Sequence, residues 1–134
     1  MSPSQSERAP FAKPTVLVVE DETLLIDVIS DELEEAGYRV LAATTGEQAM
    51  TFLQSPEPID LLFTDIRLPG TLDGWKLAEA ARHLRPELPV IYASGYTVDQ
   101  PREVPGSLFL TKPYRPSAVI RAISGLGVPT RDGD

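Results

Sequence analysis

Apolar residues in this chain come in two patterns, short unbroken runs and stripes at helical spacing. Val16-Leu17-Val18-Val19, Leu61-Leu62-Phe63, Val90-Ile91-Tyr92-Ala93 and Leu108-Phe109-Leu110 are unbroken runs of buried-strand length, and Tyr38-Arg39-Val40-Leu41-Ala42 is a fifth strand candidate. Runs of this kind suit a parallel sheet covered on both faces. Helical stripes fall between them. A helix over 22–36 sets Leu24, Leu25, Val28, Ile29 and Leu33 inward and Asp27, Asp31, Glu34 and Glu35 toward water, and Gly37 stops it. Thr45-Gly46-Glu47 opens a second helix through Ala49, Met50 and Leu53, which ends before Pro56. A third, over 75–84, offers Leu77, Ala80, Ala81 and Leu84 to the core. The stretch 96–107 needs a helical crossover, but Pro101, Pro105 and Gly106 restrict it to a short or broken fourth helix. Pro116 starts a last helix carrying Val119, Ile120 and Ile123. Five strands alternating with five helices predict a doubly wound α/β sandwich with a five-stranded parallel sheet.

Residues 1–13 and 127–134 are rich in small, polar and turn-forming types and read as flexible tails around one domain over 14–126. A length of 134 residues suits a single core. The net charge of −8 argues against direct nucleic-acid binding, which needs a basic face. The absence of cysteine excludes disulfides and thiolate metal sites. No apolar stretch reaches the roughly 20 residues of a membrane span. The amino terminus lacks the apolar core of a signal peptide. A cytoplasmic protein is expected.

The chemistry sits where the strands stop. Counted in chain order, the first strand ends in Glu20-Asp21-Glu22, the third in Asp65, the fourth in Ser94-Gly95, and the fifth in Lys112-Pro113. In an open parallel sheet these carboxyl ends share one edge, where ligands bind. Glu20, Asp21, Asp65 and Lys112 therefore converge. Three carboxylates call for a hard cation such as Mg²⁺, with Asp21 and Asp65 as direct ligands and Glu20 reaching it directly or through water. Helix capping would explain one of the acids after the first strand, not all of them together with Asp65. A plain salt bridge would explain Lys112, but the following proline fixes the turn, and a positioned ammonium suits a phosphoryl group or a carboxylate. Ser94 points into the same crevice. The chain's one histidine, His83, falls on a helix away from the strand ends, so a serine-hydrolase arrangement finds no base.

The order Glu20-Asp21, Asp65-Ile66-Arg67-Leu68-Pro69-Gly70, Ser94-Gly95, Phe109, Lys112-Pro113 resembles the receiver domain of two-component response regulators over 14–126. That resemblance implies a flavodoxin-like fold with strand order 2-1-3-4-5. It implies that Asp65 accepts a phosphoryl group from a sensor histidine kinase or a histidine phosphotransfer protein, in a signalling domain that is not an enzyme on an external substrate. It further implies Mg²⁺ held by Asp21, Asp65 and the backbone carbonyl of Arg67, with Glu20 in support. Ser94 and Phe109 match the family's switch pair, Lys112 pairs with a phosphoryl oxygen, and the Ile66 and Gly95 amides serve the remaining oxygens. Receivers of this type act on a downstream protein and pair through the last two helices and the fifth strand, or stay monomeric.

The chain departs from the usual receiver pattern in three places. Glu20 replaces the more frequent aspartate. The loop Gly70-Thr71-Leu72-Asp73-Gly74 is insertion-like, a form that resembles receivers attached to hybrid kinases. Tyr92-Ala93-Ser94-Gly95-Tyr96 with its proline-laced successor resembles receivers whose fourth helix is short or disordered. With eight residues after the last helix, output is expected in trans. Two competing readings are a pseudo-receiver that binds a partner without accepting phosphate, and a Mg²⁺ phosphohydrolase with an aspartate nucleophile. The second expects an Asp-x-Asp at the first strand and a cap segment, where this chain has Glu20-Asp21-Glu22 and no segment long enough.

Overall fold

The computed structural model describes residues 12–95 and 102–130. The chain runs β1 (Thr15–Val19), α1 (Thr23–Glu35), β2 (Arg39–Ala43), α2 (Gly46–Leu53), β3 (Leu61–Asp65), α3 (Gly74–Leu84), β4 (Val90–Ser94), β5 (Leu108–Thr111) and α4 (Pro116–Gly125). The strands form one sheet of order β2-β1-β3-β4-β5, and every neighbouring pair is parallel.

Burial along the strands explains this order. Every residue of β1, β3 and β4 is buried, so the longest apolar runs take the middle of the sheet, while β2 and β5 are partly exposed at its edges. Alternate side chains split the core in two. Leu17, Val19, Leu62, Val90 and Tyr92 pack under α2 and α3, where Leu53, Trp75, Leu77, Ala78 and Ala81 meet them. Val16, Val18, Leu61, Phe63 and Ile91 pack on the other face against Ile29, Leu33, Val119 and Ile123. Burying one such aliphatic side chain contributes about 1.5–3 kcal/mol. The two layers hold the five strand ends in register at one edge.

Two helices keep most of the expected core residues, Ile29 and Leu33 with Leu25 against them on α1 and Leu77 and Ala81 on α3, but differ at their margins. α1 buries Ile26, Ile29 and Leu33, leaving Leu24 80% and Val28 51% exposed. Six apolar residues between positions 24 and 33 outline two overlapping stripes, and a helix on a flat sheet buries only one of them. α3 buries Ala78 where Leu84 was expected. Two small residues, Ala78 and Ala81, let that helix lie close to the sheet, and Leu84 at its end stands exposed. Between β4 and β5, residues 102–107 form no helix. Val104 is buried there, and its amide donates to the Tyr92 hydroxyl at 3.0 Å. The rest of the expected fourth helix, 96–101, lies outside the described residues, as do 1–11 and 131–134. Residues 128–130, expected as tail, pack on the amino edge. Tyr38 donates its hydroxyl hydrogen to the Val128 carbonyl at 2.7 Å, and Thr130 is buried.

Candidate functional site

The carboxyl ends of β1, β3 and β4 and the start of the turn after β5 bring Glu20, Asp21, Asp65, Ser94 and Lys112 to one edge of the sheet. Glu20 and Asp65 follow and end fully buried strands, so their carboxylates begin inside the fold, only 5% and 9% exposed. Asp21, at the start of the turn into α1, is exposed. One oxygen from each of these three carboxylates lies within 4.8 Å of the other two. Lys112 reaches in from the turn after β5, donating to Glu20 Oε1 at 2.7 Å and to Asp65 Oδ2 at 3.1 Å. Its backbone amide continues the ladder to the Ser94 carbonyl at 2.9 Å, and the Lys112–Pro113 peptide is cis.

The other sequence-predicted residues border this cluster. Ser94 ends β4 and is buried. Gly95 follows it, exposed, and a side chain there would begin 3.6 Å from Lys112 Cβ. Phe109 lies in β5 beside Tyr92 of β4 and is half-exposed. Arg67 opens the loop after Asp65 and is exposed. The Ile66 amide donates to the Ala93 carbonyl at 3.0 Å, extending the sheet, and also lies against the Asp65 carboxylate, where it offsets part of the pKa rise that burial imposes. Gly74 closes the loop at its base, its amide donating to the Ile66 carbonyl at 2.7 Å. A Cβ at Gly74 would stand 2.3 Å from the Asp65 carbonyl oxygen, so only glycine lets α3 start this close to the site.

Burial sets the electrostatics. It raises the pKa of Glu20, against the opposing hydrogen bonds from Lys112 and the Glu22 amide, and the Asp65 charge adds to the rise. Burial raises Asp65 in the same way, and the Lys112 ammonium only partly offsets it. The effect on Lys112 is the reverse. Burial pulls its pKa down, but hydrogen bonds to Glu20 and Asp65 outweigh that and hold it charged. One ammonium thus serves two buried carboxylates, both held less willing to ionise than free acids, with the exposed Asp21 carboxylate beside them. A clustered set of hard oxygen donors with surplus negative charge fits a divalent cation such as Mg²⁺.

Sequence reasoning missed two side chains here. Tyr114, just past Pro113, is driven to a high pKa by burial and by the Glu20 carboxylate, and its ring meets Phe63 edge-on at 5.6 Å. Only its nearness to Lys112-Pro113 hinted at this. Glu47 on α2 holds the loop beyond Asp65, and no motif pointed to it.

Comparison with known proteins bears on the whole arrangement. The family profile described as response regulator receiver domain matches residues 16–124. A probable transcriptional regulatory protein of Picosynechococcus is 36% identical over 112 residues, covering 76% of this chain and 44% of the relative. The chain spans about half the length of the curated relatives it matches. Among solved structures, a response regulator receiver protein from Sinorhizobium medicae has a TM-score of 0.81 at 35% identity, covering 85% of this chain and 94% of that one. The receiver domain of the hybrid histidine kinase CckA has a TM-score of 0.74 at 33% identity, covering 84% and 97%.

Proposed function

The chain belongs to the response regulator receiver domain family, and on that premise we propose that it takes a phosphoryl group on Asp65 from a phosphohistidine of a partner kinase or phosphotransfer protein. The observation that carries this reading is Lys112 Nζ lodged between Glu20 and Asp65 at the sheet edge, beside the three clustered carboxylates. An Asp65 oxygen attacks phosphorus, the phosphorus–nitrogen bond breaks, and its electron pair stays on the donor imidazole. Such a transfer needs positioning and charge compensation more than covalent help.

Each residue has a part in that chemistry. Burial of Asp65 on a strand end fixes the nucleophile's direction. Lys112 moves from carboxylate to phosphoryl oxygen, exchanging one anionic partner for another without leaving the site. Ser94 and the Gly95 amide stand at the next strand end to donate to the remaining oxygens, with the Ile66 amide available once it leaves the Ala93 carbonyl. Asp21, Asp65 and the Arg67 carbonyl, supported by Glu20, would hold Mg²⁺, which supplies neutralisation of phosphoryl charge when bound. Ser94 and Phe109 then form the switch that reads the phosphorylated state.

The same reading defines partners. Leu24 and Val28 stand exposed on α1 directly after the acidic turn, beside Asp27, Asp31 and Glu32. They offer a phosphodonor an apolar foothold with a negative rim. Signalling passes on by protein contact, in the cytoplasm. The chain's net charge of −8 opposes a nucleic-acid role for the receiver itself.

The test is chemical. After incubation with a phosphohistidine donor protein, hydroxylamine converts an acyl phosphate to a hydroxamate, which peptide mass spectrometry places on a residue. A hydroxamate at Asp65 is expected. A hydroxylamine-stable phosphate on Ser94, or no modification, would overturn the assignment.

A further inference from the structure

The loop between β3 and α3 carries the backbone groups nearest Asp65, yet four of its residues, Arg67, Pro69, Gly70 and Thr71, are exposed. A loop of this kind is expected to move. Its base is pinned by the Gly74 amide on the Ile66 carbonyl. Its tip is pinned from another element altogether.

Glu47 sits in the first turn of α2. An acid there is ordinarily explained by the helix dipole alone. This one accepts its own backbone amide and also reaches across to another element. A single oxygen, Oε2, accepts both the Thr71 amide at 3.1 Å and the Thr71 hydroxyl at 2.7 Å, across 24 positions of sequence. Hydrogen bonds from the Thr71 hydroxyl first, then from its own amide and the Thr71 amide, hold its carboxyl below the usual range. The surrounding backbone is shaped to receive it. Gly70, at φ +89°, lies so close that a Cβ there would stand 2.8 Å from Glu47 Oε1. The neighbouring Gly46 lets Leu72 sit down on the helix, since a Cβ there would fall 2.6 Å from Leu72 Cβ. The helix start is itself rigid, with Thr45 accepting the Gln48 amide at 3.0 Å.

We infer that Glu47 is a positioning residue for the cation site: through Thr71 it fixes the loop tip on α2, and so holds the Arg67 carbonyl ready beside Asp21 and Asp65. The inference rests on the proposed metal-assisted function and adds a residue that touches neither metal nor phosphoryl group. It acts at a distance of four residues along a loop that is clamped at its base and at its tip. Supports of this outer kind change metal affinity by about 10–100-fold in other sites.

The experiment is Mg²⁺ titration of the full chain, by calorimetry and by fluorescence of its one tryptophan, Trp75, which follows Gly74 at the start of α3. Four proteins are compared: wild type, Glu47→Ala, Glu47→Gln and Thr71→Ala. Glu47→Ala is expected to weaken Mg²⁺ binding about tenfold, with little change in thermal midpoint because the contact is exposed. Glu47→Gln keeps one carbonyl oxygen able to accept both Thr71 groups, and is expected to bind close to wild type. Thr71→Ala keeps the amide bond and falls between. Glu47→Ala combined with Thr71→Ala should be no weaker than Glu47→Ala alone, because both remove one contact. If Glu47→Ala binds as wild type does, the inference is wrong. If Glu47→Gln is as weak as Glu47→Ala, lost charge explains the effect and the inference is again wrong. Failure of wild type itself to bind Mg²⁺ would remove the proposed function, and this inference with it.

Discussion

At the amino edge of the sheet, Asp60 accepts the Thr15 amide at 2.7 Å, and Arg85 donates to the Leu53 carbonyl at 3.2 Å and the Ser55 carbonyl at 3.0 Å. At the carboxyl edge, Asp65 and Glu20 face one another across a single ammonium. Acidic and basic side chains serve both edges. At the amino edge each charge meets a backbone group that the fold supplies permanently: Asp60 completes the first pairing of β1, and Arg85 caps the end of α2. At the carboxyl edge the carboxylates meet each other, and burial raises the pKa of both Glu20 and Asp65. One edge is finished by folding. The other keeps a cluster of carboxylates with surplus negative charge, and under the proposed function a cation and a phosphoryl group would complete it.

Four substitutions probe that division. Asp21→Ala removes an exposed carboxylate from the cluster and should cut Mg²⁺ affinity by about a hundredfold. Chemical denaturation would register the same loss. Mg²⁺ at a hundred times the wild-type Kd should add about 2.7 kcal/mol to wild type and only about 0.4 kcal/mol to this variant at equal concentration. At the other edge, Arg85→Ala leaves the Leu53 and Ser55 carbonyls without their donor and should cost about 2 kcal/mol of stability, while Mg²⁺ affinity stays that of wild type. An Arg85→Ala protein with impaired Mg²⁺ binding would break the separation of the two edges.

Tyr38→Phe is gentler. It deletes only the hydroxyl that holds the Val128 carbonyl, and should cost about 1 kcal/mol. Faster amide exchange confined to residues 128–130 would show where that bond acts. The smallest effect concerns pH. A carboxyl whose folded pKa is raised contributes stability that is present below its ordinary value and lost as pH rises through the raised one. Without metal, Asp65→Asn should therefore unfold at a higher temperature than wild type at neutral pH. The gap should narrow as pH falls toward about 4, the ordinary carboxyl value.

Much of this was legible in the residue order, for reasons that differ by element. The gathering of Glu20, Asp21, Asp65, Ser94 and Lys112 at one edge was legible because an unbroken apolar run announces a buried parallel strand, and parallel strands all end at one edge. Leu24 and Val28 were wrongly set inward on α1 because two stripes compete within 24–33, and choosing between them needs the sheet underneath. Ala78 outranks Leu84 on α3 for a similar reason, since close approach to the sheet favours the smaller residue. Glu47 was invisible because its partner Thr71 is 24 positions away in a loop without periodicity. Tyr38 and Val128 stand 90 positions apart, and only the finished fold brings them together.

The central claim is that the carboxyl edge exists to place one phosphoryl group on Asp65 with Mg²⁺ present. Intact-protein mass after incubation with acetyl phosphate, with and without Mg²⁺, on wild type and Asp65→Asn, tests it most directly. The account predicts one added phosphoryl group on wild type, only with Mg²⁺, and none on Asp65→Asn. An unchanged wild-type mass, or uptake that persists in Asp65→Asn, would contradict it.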